Sequence, residues 1–430
     1  MRVGICTLGC KVNTYESEYI VETLEKAGYA IAPFDSVCDV YIINTCTVTN
    51  TSDAKSRKMI HQAKRRNPKA CLVAMGCFVE ANGNYRDEAI DIYIGNKNKS
   101  AIVSLLDEYF TKKEEIHVPF GPKEKFEDMF LTHFEGRCRA FLKIQDGCEN
   151  FCNYCIIPYV RGKCRSKDPK MALKEARKLV ENGYQELVLT GIHTGHYGVD
   201  LETSFADLLK EMVQIKGLKR LRISSVEATE MTGEVLEVLR DSKIIANHLH
   251  IPLQAGSDPV LKAMGRKYDL KEYEEIIKKI REIRPDISIT TDIIVGFPGE
   301  TEEMFLETCA YAKKIFFAKI HVFPYSERKG TKAVEFPNQV DPLTKKDRAR
   351  RLTAVSRELE LAYAQKFQGK TLEVLIETSK DGISTGHTSN YLKVKVKEEI
   401  KPNTFVKVEI KECFNSYCMG VVKEEEACLL

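Results

Sequence analysis

Short apolar runs alternate with longer amphipathic segments at the start of the chain. The runs RVGICTL, VYIINT and CLVAM have the continuous, β-branched character of buried strands. After the first run, Tyr19, Ile20 and Leu24 recur at helical spacing, and Gly28 is a plausible helix C-terminus. The basic segment after VYIINT is expected to form a second helix. The pattern predicts a βαβαβ unit with a parallel sheet, an N-terminal α/β domain that we place at residues 1–112.

The middle of the chain repeats a strand–helix pattern behind a charged segment. Residues 113–135 are rich in charge and contain Pro and Gly, which is typical of a linker. Six strands are then expected, at AFLKIQ, ELVLTG, RLRISS, HLHIPL, ISITTDIIVGF and AKIHVFPY. They predict a partial, open (βα)6 barrel over residues 136–365, with its chemistry at the C-terminal strand ends. An open doubly wound sheet is the competing topology.

The last part of the chain has shorter, alternating strands. TLEVLIET, YLKVKVKEEI and TFVKVEI are separated by turn residues, as in a small β-barrel of the OB type, over residues 366–430. Lys393, Lys395 and Lys397 alternate with apolar residues, which predicts one basic face and one core face.

The overall composition is that of a globular protein. Hydrophobic residues make up 43% and charged residues 30% of the 430 residues. No apolar run approaches the roughly 20 residues that a membrane-spanning helix needs. The N-terminal MRVGICTLGC has no apolar core of a secretory signal. We therefore expect a cytoplasmic location and no membrane partner.

Positive charge is concentrated locally, although the net charge is only +3. The segment from Ala54 to Val79 contains no Asp or Glu but has seven basic residues: Lys55, Arg57, Lys58, Lys64, Arg65, Arg66 and Lys69. A second cluster, KKDRARR, runs from Lys345 to Arg351. A solvated helix face is one interpretation of such a cluster. Two clusters beside a candidate RNA-binding barrel favour contacts with nucleic-acid phosphates.

Fifteen cysteines in a reducing compartment indicate metal ligation rather than disulfides. Cys148, Cys152 and Cys155 form a C-x3-C-x2-C loop directly after the first barrel strand. A four-iron cluster held by three thiolates has one iron without a protein ligand, and an open coordination position is what a catalytic metal site keeps. The loop therefore predicts a catalytic cluster. A zinc site with a distant fourth ligand is the alternative.

A second set of three cysteines lies in the N-terminal domain. Cys10, Cys46 and Cys77 each follow one of its strands, so a parallel sheet brings them to one edge. Three converging thiolates again predict an open cluster. The other nine cysteines are interpreted as small hydrophobic residues: Cys6, Cys38, Cys71, Cys138, Cys164, Cys309, Cys413, Cys418 and Cys428.

The C-x3-C-x2-C spacing resembles the signature of the radical S-adenosylmethionine (SAM) superfamily. This resemblance implies that the open iron of a [4Fe-4S] cluster chelates SAM, and that an electron from a reducing donor cleaves SAM to a 5′-deoxyadenosyl radical. It also implies SAM contacts at successive strand ends, where simple turns are the alternative. The matching residues are Tyr154, Gly191, Thr194, Ser225, Glu227, Gln254, Val295 and Gly296.

The whole chain is similar to the methylthiotransferases, a family within this superfamily. The segment KIQDGCENFCNYCIIPYVRG closely resembles that family's core block. The resemblance implies that the C-terminal barrel is an RNA-binding TRAM domain. It also implies a second [4Fe-4S] cluster, on Cys10, Cys46 and Cys77. One SAM would then methylate a sulfur supplied to that cluster, and a second SAM would yield the radical that activates the substrate carbon.

The segments TLGCKVNTYESE and INTCTVTNTSDAKSRK look like the subgroup that acts on N6-threonylcarbamoyladenosine (t6A), with Val12 and Glu16 as the discriminating residues. The implied reaction adds a methylthio group to C2 of t6A at position 37, in the anticodon stem-loop of tRNA. An aspartate of a ribosomal protein and isopentenyladenosine in tRNA are the alternative substrates. A non-catalytic iron–sulfur or RNA-binding protein is the remote alternative. Candidate substrate contacts are Asn13, Lys143, Gln145, Arg266, His321 and Phe323.

Overall fold

The N-terminal domain is built on a six-stranded parallel sheet in the order β2-β1-β3-β4-β5-β6. The computed structural model describes residues 1–118, 125–134 and 136–423. The strands are β1 (Arg2–Thr7), β2 (Ala30–Ala32), β3 (Val40–Thr45), β4 (Cys71–Gly76), β5 (Ile92–Ile94) and β6 (Ile116–His117). The helices are α1 (Lys11–Lys26), α2 (Asn50–Arg66), α3 (Cys77–Ala81) and α4 (Ile102–Lys112). The predicted βαβαβ unit is confirmed, and three short strands extend it.

Burial explains why the central strands have continuous apolar sequences. Every residue of β3 and β4 is buried, because helices cover both faces of the sheet. Helix α1 ends as expected beside Gly28, which has φ of +85°. This conformation lets the Tyr29 N–H bond the Leu24 carbonyl at 3.0 Å, and so it closes the last turn.

The central domain is the expected partial barrel. Its strands are β7 (Arg139–Lys143), β8 (Gln145–Asp146), β9 (Arg165–Ser166), β10 (Glu186–Thr190), β11 (Arg220–Ile223), β12 (His248–His250), β13 (Ser288–Val295) and β14 (Lys319–Pro324). Its helices are α5 (Ile157–Arg161), α6 (Pro169–Glu181), α7 (Phe205–Met212), α8 (Gly233–Asp241), α9 (Asp258–Met264), α10 (Leu270–Ile283), α11 (Glu302–Ile315) and α12 (Pro342–Gln365).

The strand order distinguishes a barrel from a doubly wound sheet. Two parallel three-stranded sheets, β7-β10-β11 and β12-β13-β14, are joined by a parallel bridge between Ser225 and His250. The spatial order therefore follows the chain order without the reversal that defines a doubly wound sheet. Within the described residues, no strand pairing closes β7 onto β14, so the barrel is open.

The C-terminal domain is a closed five-stranded barrel, as the alternating pattern predicts. Its strands are β15 (Thr371–Lys380), β16 (Ile383–Thr388), β17 (Lys393–Val396), β18 (Thr404–Phe414) and β19 (Tyr417–Val422). Val394 and Val396 are buried in its core. Arg222 of β11 donates hydrogen bonds to the Thr388 and Ser389 carbonyls, at 2.6 and 3.0 Å, which anchors this barrel to the central domain.

The segment expected to be a linker packs against both neighbouring domains. Strand β6 within it extends the N-terminal sheet, and Met129, Leu131 and Phe134 are buried in the core of the central barrel. Residues 119–124 and 135 of the segment lie outside the described residues, as do residues 424–430 with Cys428. In the part of the chain that the structure describes, no helix is both long enough and apolar enough to span a bilayer.

Candidate functional site

The three N-terminal cysteines meet at the carboxyl edge of the sheet, where the sequence places them. Cys10 directly precedes α1, Cys46 directly follows β3, and Cys77 is the first residue of α3 after β4. The backbone at Gly9 lies close to Cys46. A Cβ on Gly9, which has φ of +99°, would lie 3.0 Å from Cys46 Sγ. Burial raises the pKa of the Cys46 thiol, and the neighbouring Cys77 and Cys10 raise it further.

The surroundings of this trio fit an iron–sulfur cluster with one open side. Cys46 and Cys77 are buried, whereas Cys10 is exposed. Asn96 Nδ2 lies 3.4 Å from Cys77 Sγ and also donates to the Val160 carbonyl of α5 at 3.0 Å. All three thiols are free. Fe–S clusters are bound by cysteine thiolates, and N–H donors commonly hydrogen-bond to their sulfur atoms.

The second trio occupies the loop between β8 and α5. The Asn150 N–H donates to Cys148 Sγ at 3.5 Å, and Arg266 Nη1 donates to Cys152 Sγ at 3.4 Å. Burial raises the pKa of Cys155 to about 12, with Cys152 and Cys148 adding to the rise. Cysteine binds a metal as the thiolate. A bound metal would therefore replace the thiol protons of these neighbouring cysteines. These residues too fit a cluster held by three cysteines.

The two trios are close neighbours through the short helix α5. Cys77 of the first trio packs against Ile156, which directly follows Cys155 of the second trio, and against Val160 of α5. The structure therefore places both predicted cluster sites around one helix of five residues.

A cavity of about 210 Å³ lies next to Cys155. It brings together three residues that the sequence predicts separately, Tyr154, Gln254 and Phe323, with Val48 and Thr49 of the N-terminal domain and Asp292 of β13 at its wall. Gln254 has φ of +71°, an uncommon conformation for a residue with a side chain. Such conformations concentrate at functional sites.

Other predicted SAM contacts lie at neighbouring strand ends. A Cβ on Gly191 would lie 2.9 Å from Gln145 Oε1, so this position has room only for glycine. Thr194 and Ser224, from the loops after β10 and β11, are joined by a 3.1 Å hydrogen bond between their hydroxyls. Ser225 forms the bridge between the two half-barrels described above.

At the end of β13, Val295 is buried. The N–H of the adjacent Gly296 donates to Glu300 Oε2 at 2.6 Å.

Arg266, a predicted substrate contact, lies beside Cys152 of the second trio. Its guanidinium bonds Glu227 as well as Cys152, and it donates to Tyr268 Oη at 3.0 Å. Glu227, predicted as a SAM contact, thus holds a cation beside a cluster cysteine. This contact places both residues beside Cys152.

Three further candidate substrate contacts, Lys143, Asn13 and Gln145, are buried in this structure and bonded to protein groups. Lys143 is 1% exposed, and its Nζ donates to Glu16 Oε1 at 2.7 Å and to Asp146 Oδ2 at 2.8 Å. Asn13 Nδ2 donates to the Leu8 and Thr45 carbonyls, at 2.7 and 2.9 Å. Gln145 Oε1 accepts the His193 N–H at 2.7 Å, and its Nε2 donates to the Gly147 carbonyl. These side chains hold loops in place.

Arg161 at the end of α5 is the residue that the sequence interpretation missed. Its Nη1 donates to Glu16 Oε1 at 3.1 Å and to Asp146 Oδ1 at 3.0 Å, and its Nη2 donates to Asn13 Oδ1 at 2.7 Å. Burial disfavours ionised Glu16, but Arg161, Lys143 and Lys99 more than offset this and hold its pKa well below the usual range. The available signal was Glu16 itself, an acidic residue in a helix that begins at a cluster cysteine.

The lumen of the partial barrel forms a second cavity, of about 550 Å³. His321, predicted to face substrate, lines it together with His248 and His250, and Tyr391 and Tyr417 of the C-terminal barrel also line it. His250 Nε2 lies 3.4 Å from Asp292 Oδ2, and Asp292 lines the smaller cavity. This pair therefore forms the boundary between the lumen and the cavity at Cys155.

The first basic cluster forms an exposed surface beside the site. It lies on and just beyond α2, and the exposed members are Lys55, Arg57, Lys58, Arg65 and Lys69. Helix α2 begins directly after Thr49, which lines the smaller cavity.

The second basic cluster is not a free basic surface, in contrast to the sequence interpretation. Arg348 is buried against Glu300 at 2.8 Å, and Arg350 pairs with Asp347 at 2.8 Å. Lys345 is also buried.

Cys164, interpreted from the sequence as a small hydrophobic residue, is buried beside two histidines. It groups with His193 and His196 so that their ligand atoms lie within 4.8 Å of one another. His193 Nδ1 is 3.8 Å from Cys148 Sγ, so this group borders the second cysteine trio.

Two protein-family models match the regions of the chain that contain the two cysteine trios. The radical SAM superfamily model matches residues 142–312, and that of the uncharacterized protein family UPF0004 matches residues 2–95. Among solved structures, the radical SAM methyltransferase TsrM from Kitasatospora setae has a TM-score of 0.55 and 13% identity, covering 75% of this chain and 74% of that chain. The matched domains and the three-cysteine loop together place this protein in the class of radical SAM proteins.

Curated relatives extend over nearly the whole chain. The threonylcarbamoyladenosine tRNA methylthiotransferase MtaB of Bacillus subtilis is 43% identical, covering 98% of this chain and 97% of the relative. The MtaB of Aquifex aeolicus is 39% identical over 92% and 96%. The tRNA-2-methylthio-N(6)-dimethylallyladenosine synthase of Lachnoclostridium phytofermentans is 34% identical over 98% and 95%. The chain belongs to the radical SAM methylthiotransferase family.

Proposed function

We propose that this protein adds a methylthio group to C2 of t6A at position 37 of tRNA, in the anticodon stem-loop. The observation that carries the proposal is the placement of two three-cysteine sites around α5, next to a cavity that adjoins a lumen of about 550 Å³. The MtaB relatives, at 43% and 39% identity, bear the name of this reaction and favour t6A as the substrate.

We assign one [4Fe-4S] cluster to Cys148, Cys152 and Cys155, and a second to Cys10, Cys46 and Cys77. When bound, the first would supply the electron for reductive cleavage of SAM, and the second would supply the sulfur that is transferred. Three cysteines at each site leave one iron free for SAM or for that sulfur. The reaction consumes electrons and sulfur, so a reducing electron donor and a sulfur source are its required partners.

Residues around the second trio shape the SAM site. Gly191 leaves space beside Gln145, and Gln254 and Tyr154 line the cavity at Cys155. Arg266, held by Glu227, donates to Cys152 Sγ, and hydrogen bonds to cluster sulfurs tune the reduction potential. The other residues that we assign to the SAM site are Thr194, Ser225, Val295 and Gly296.

The basic face of α2 is the proposed tRNA surface. Its exposed cations start beside the cavity, so they can contact backbone phosphates while the target base enters. Chemistry on a base requires the base to leave its stack. Lys395 and Lys397 on the C-terminal barrel supply further positive charge, consistent with the RNA-binding domain proposed at residues 366–430. A tRNA partner also favours a cytoplasmic location.

The lumen favours t6A over the alternative tRNA substrate. Isopentenyladenosine carries an apolar substituent, whereas His248, His250 and His321 give the lumen a polar wall. A ribosomal-protein aspartate would not need the basic face of α2. A non-catalytic iron–sulfur protein would not need the lumen.

The test is mass spectrometry of digested tRNA nucleosides from cells that lack the gene. We expect loss of the methylthio derivative of t6A and accumulation of t6A, with recovery on expression of the wild-type chain but not of Cys10→Ala. An unchanged nucleoside profile would contradict the proposal, and ribosomal proteins from the same extract would then test the aspartate alternative.

A further inference from the structure

The charged groups that line the barrel lumen are not all neutralised by protein partners. Arg222 bonds Glu186 at 2.6 Å, Arg139 bonds Glu377 at 3.1 Å, and Lys319 bonds Glu360 at 3.1 Å. Two other lysines also line the lumen, Lys11 and Lys393. Across the described ranges of the chain, neither has a carboxylate or hydrogen-bond partner. Both lysines are exposed, so the lumen presents positive charge that no carboxylate of the described residues neutralises.

Lys11 is the lysine at the reactive end of the lumen. It is the first residue of α1 and directly follows Cys10, so its backbone is fixed beside the first cysteine trio. Its ammonium is near enough to lower the pKa of both His248 and His321. Lys393, in contrast, belongs to β17 of the C-terminal barrel and is not adjacent in sequence to a cysteine of either trio.

His248 and His321 provide hydrogen-bonding groups in the lumen without adding further positive charge. Burial, together with the neighbouring cations, lowers the pKa of His248 well below its usual value and also lowers that of His321. His248 and His250 both contact Thr290 Oγ1, at 3.1 and 3.0 Å, which orients the two rings. Neutral imidazoles offer one donor and one acceptor each, which suits hydroxyl and carbamoyl groups.

We propose that the lumen is the binding site for the threonylcarbamoyl group of the substrate, and that the Lys11 ammonium pairs with its carboxylate. The inference rests on the proposed function, because only t6A among the substrates considered carries this group. On adenine, C2 and the N6 substituent project in different directions, so a base presenting C2 to the clusters directs its substituent elsewhere. The lumen of about 550 Å³ has the size of a small-molecule site and adjoins the cavity at Cys155 through His250 and Asp292.

Lys11 is then a specificity-determining residue. A carboxylate paired with an ammonium is a charge-assisted contact, stronger than a contact between neutral groups. A substrate with a neutral substituent would leave the Lys11 charge without a partner. The enzyme should therefore distinguish substrates by the charge at the end of the N6 substituent.

The experiment uses reconstituted holoenzyme and two anticodon stem-loop RNAs. One carries t6A, and the other carries its threonine amide, in which a carboxamide replaces the carboxylate. Kd is measured by fluorescence anisotropy, and kcat/KM by mass spectrometry of the product, for wild type, Lys11→Gln, Lys393→Gln and Lys26→Gln. Lys26 is an exposed lysine at the other end of α1 and serves as the matched control. Iron per chain is measured in every preparation.

We expect wild type, Lys393→Gln and Lys26→Gln to prefer the carboxylate RNA by roughly tenfold or more, as for a charge-assisted hydrogen bond. Lys11→Gln should bind both RNAs equally, at the level at which wild type binds the amide. Equal use of both RNAs by wild type would overturn the inference whatever the variants do. Loss of the preference in Lys393→Gln rather than in Lys11→Gln would also overturn it. Failure of wild type to methylthiolate the t6A RNA would instead count against the proposed function.

Discussion

Arg161 Nη2 donates a 2.7 Å hydrogen bond to Asn13 Oδ1, and this contact joins the two cysteine sites. Arg161 ends the helix that follows Cys155, and Asn13 lies in the first turn of the helix that follows Cys10. Both residues are buried. The relative position of the two sites is therefore fixed by a buried polar network rather than by the chain connection between the domains.

Replacement of Arg161 by Met should destabilise the protein strongly. Removing one partner of a buried ion pair typically costs about 3–5 kcal/mol, because the charge left behind has no water to replace it. The free energy of unfolding in urea is the measurement. Arg177→Met, on the exposed face of α6, is the matched control and should change stability by less than about 0.5 kcal/mol. A cost for Arg161→Met as small as that of the control would contradict the structural role of the network.

The two cysteine sites should hold iron independently. In Cys148→Ala/Cys152→Ala/Cys155→Ala, we expect roughly half of the iron of wild type to remain, because three thiolates suffice to hold each cluster. Iron per chain after anaerobic reconstitution is the measurement. Cys309→Ala, which removes a thiol on α11, should retain the full amount. Loss of all iron from the triple variant would show that the sites do not assemble separately.

Cys10→Ala should separate the two halves of the reaction. Cys10 belongs to the site assigned to the transferred sulfur, while the SAM site depends on the other trio. We expect continued formation of 5′-deoxyadenosine without methylthio transfer to tRNA. Chromatography of the nucleosides measures 5′-deoxyadenosine and the methylthiolated product in one sample. Methylthio transfer at the wild-type level in Cys10→Ala would rule out the assigned role of this site.

A methyl group at position 191 should weaken SAM binding. The Cβ of Gly191→Ala would lie 2.9 Å from Gln145 Oε1 and 3.2 Å from the Gln145 carbonyl oxygen, so the loop must shift. If the SAM-bound loop bears an overpacking cost of about 1–3 kcal/mol, SAM affinity falls by roughly 5- to 150-fold. Equilibrium dialysis with SAM is the measurement. Gly233→Ala, whose Cβ would meet no atom within 4 Å, is the control. Unchanged SAM affinity for Gly191→Ala would place SAM elsewhere.

Charge removal on α2 should weaken tRNA binding in a salt-dependent manner. For Lys55→Gln/Lys58→Gln, we expect the slope of log K against log salt to fall by roughly one for each phosphate that the variant no longer neutralises. A titration of binding across salt concentrations measures this slope. Arg350→Gln, in the second basic cluster, should leave it unchanged, because Arg350 already pairs with Asp347. The reverse pattern would move the RNA surface to α12.

Spacing and periodicity were sufficient to predict the parallel sheet of the first domain, the open barrel and both cysteine trios. They did not predict β2, β5 and β6, because two or three residues are too few to show a period. Lys143 was predicted as a substrate contact, yet it is a partner of Glu16. The partners of Glu16, Lys99 and Arg161, are 83 and 145 residues away in sequence. Local pattern carries no information about such pairings, which only the folded chain reveals.

The packing of Cys77 against Ile156 and Val160 sets an order of assembly during translation. A ribosome releases the chain from its N-terminus, and domains fold as they emerge. The cysteines of the first trio are made early, but the helix that encloses one of them follows the second trio. The site of Cys10, Cys46 and Cys77 is therefore completed only after α5, which follows the second trio, has left the exit tunnel. Until then, the nascent chain leaves Cys77 exposed. We therefore expect the first trio to receive iron and sulfide only after the two halves of the chain have docked.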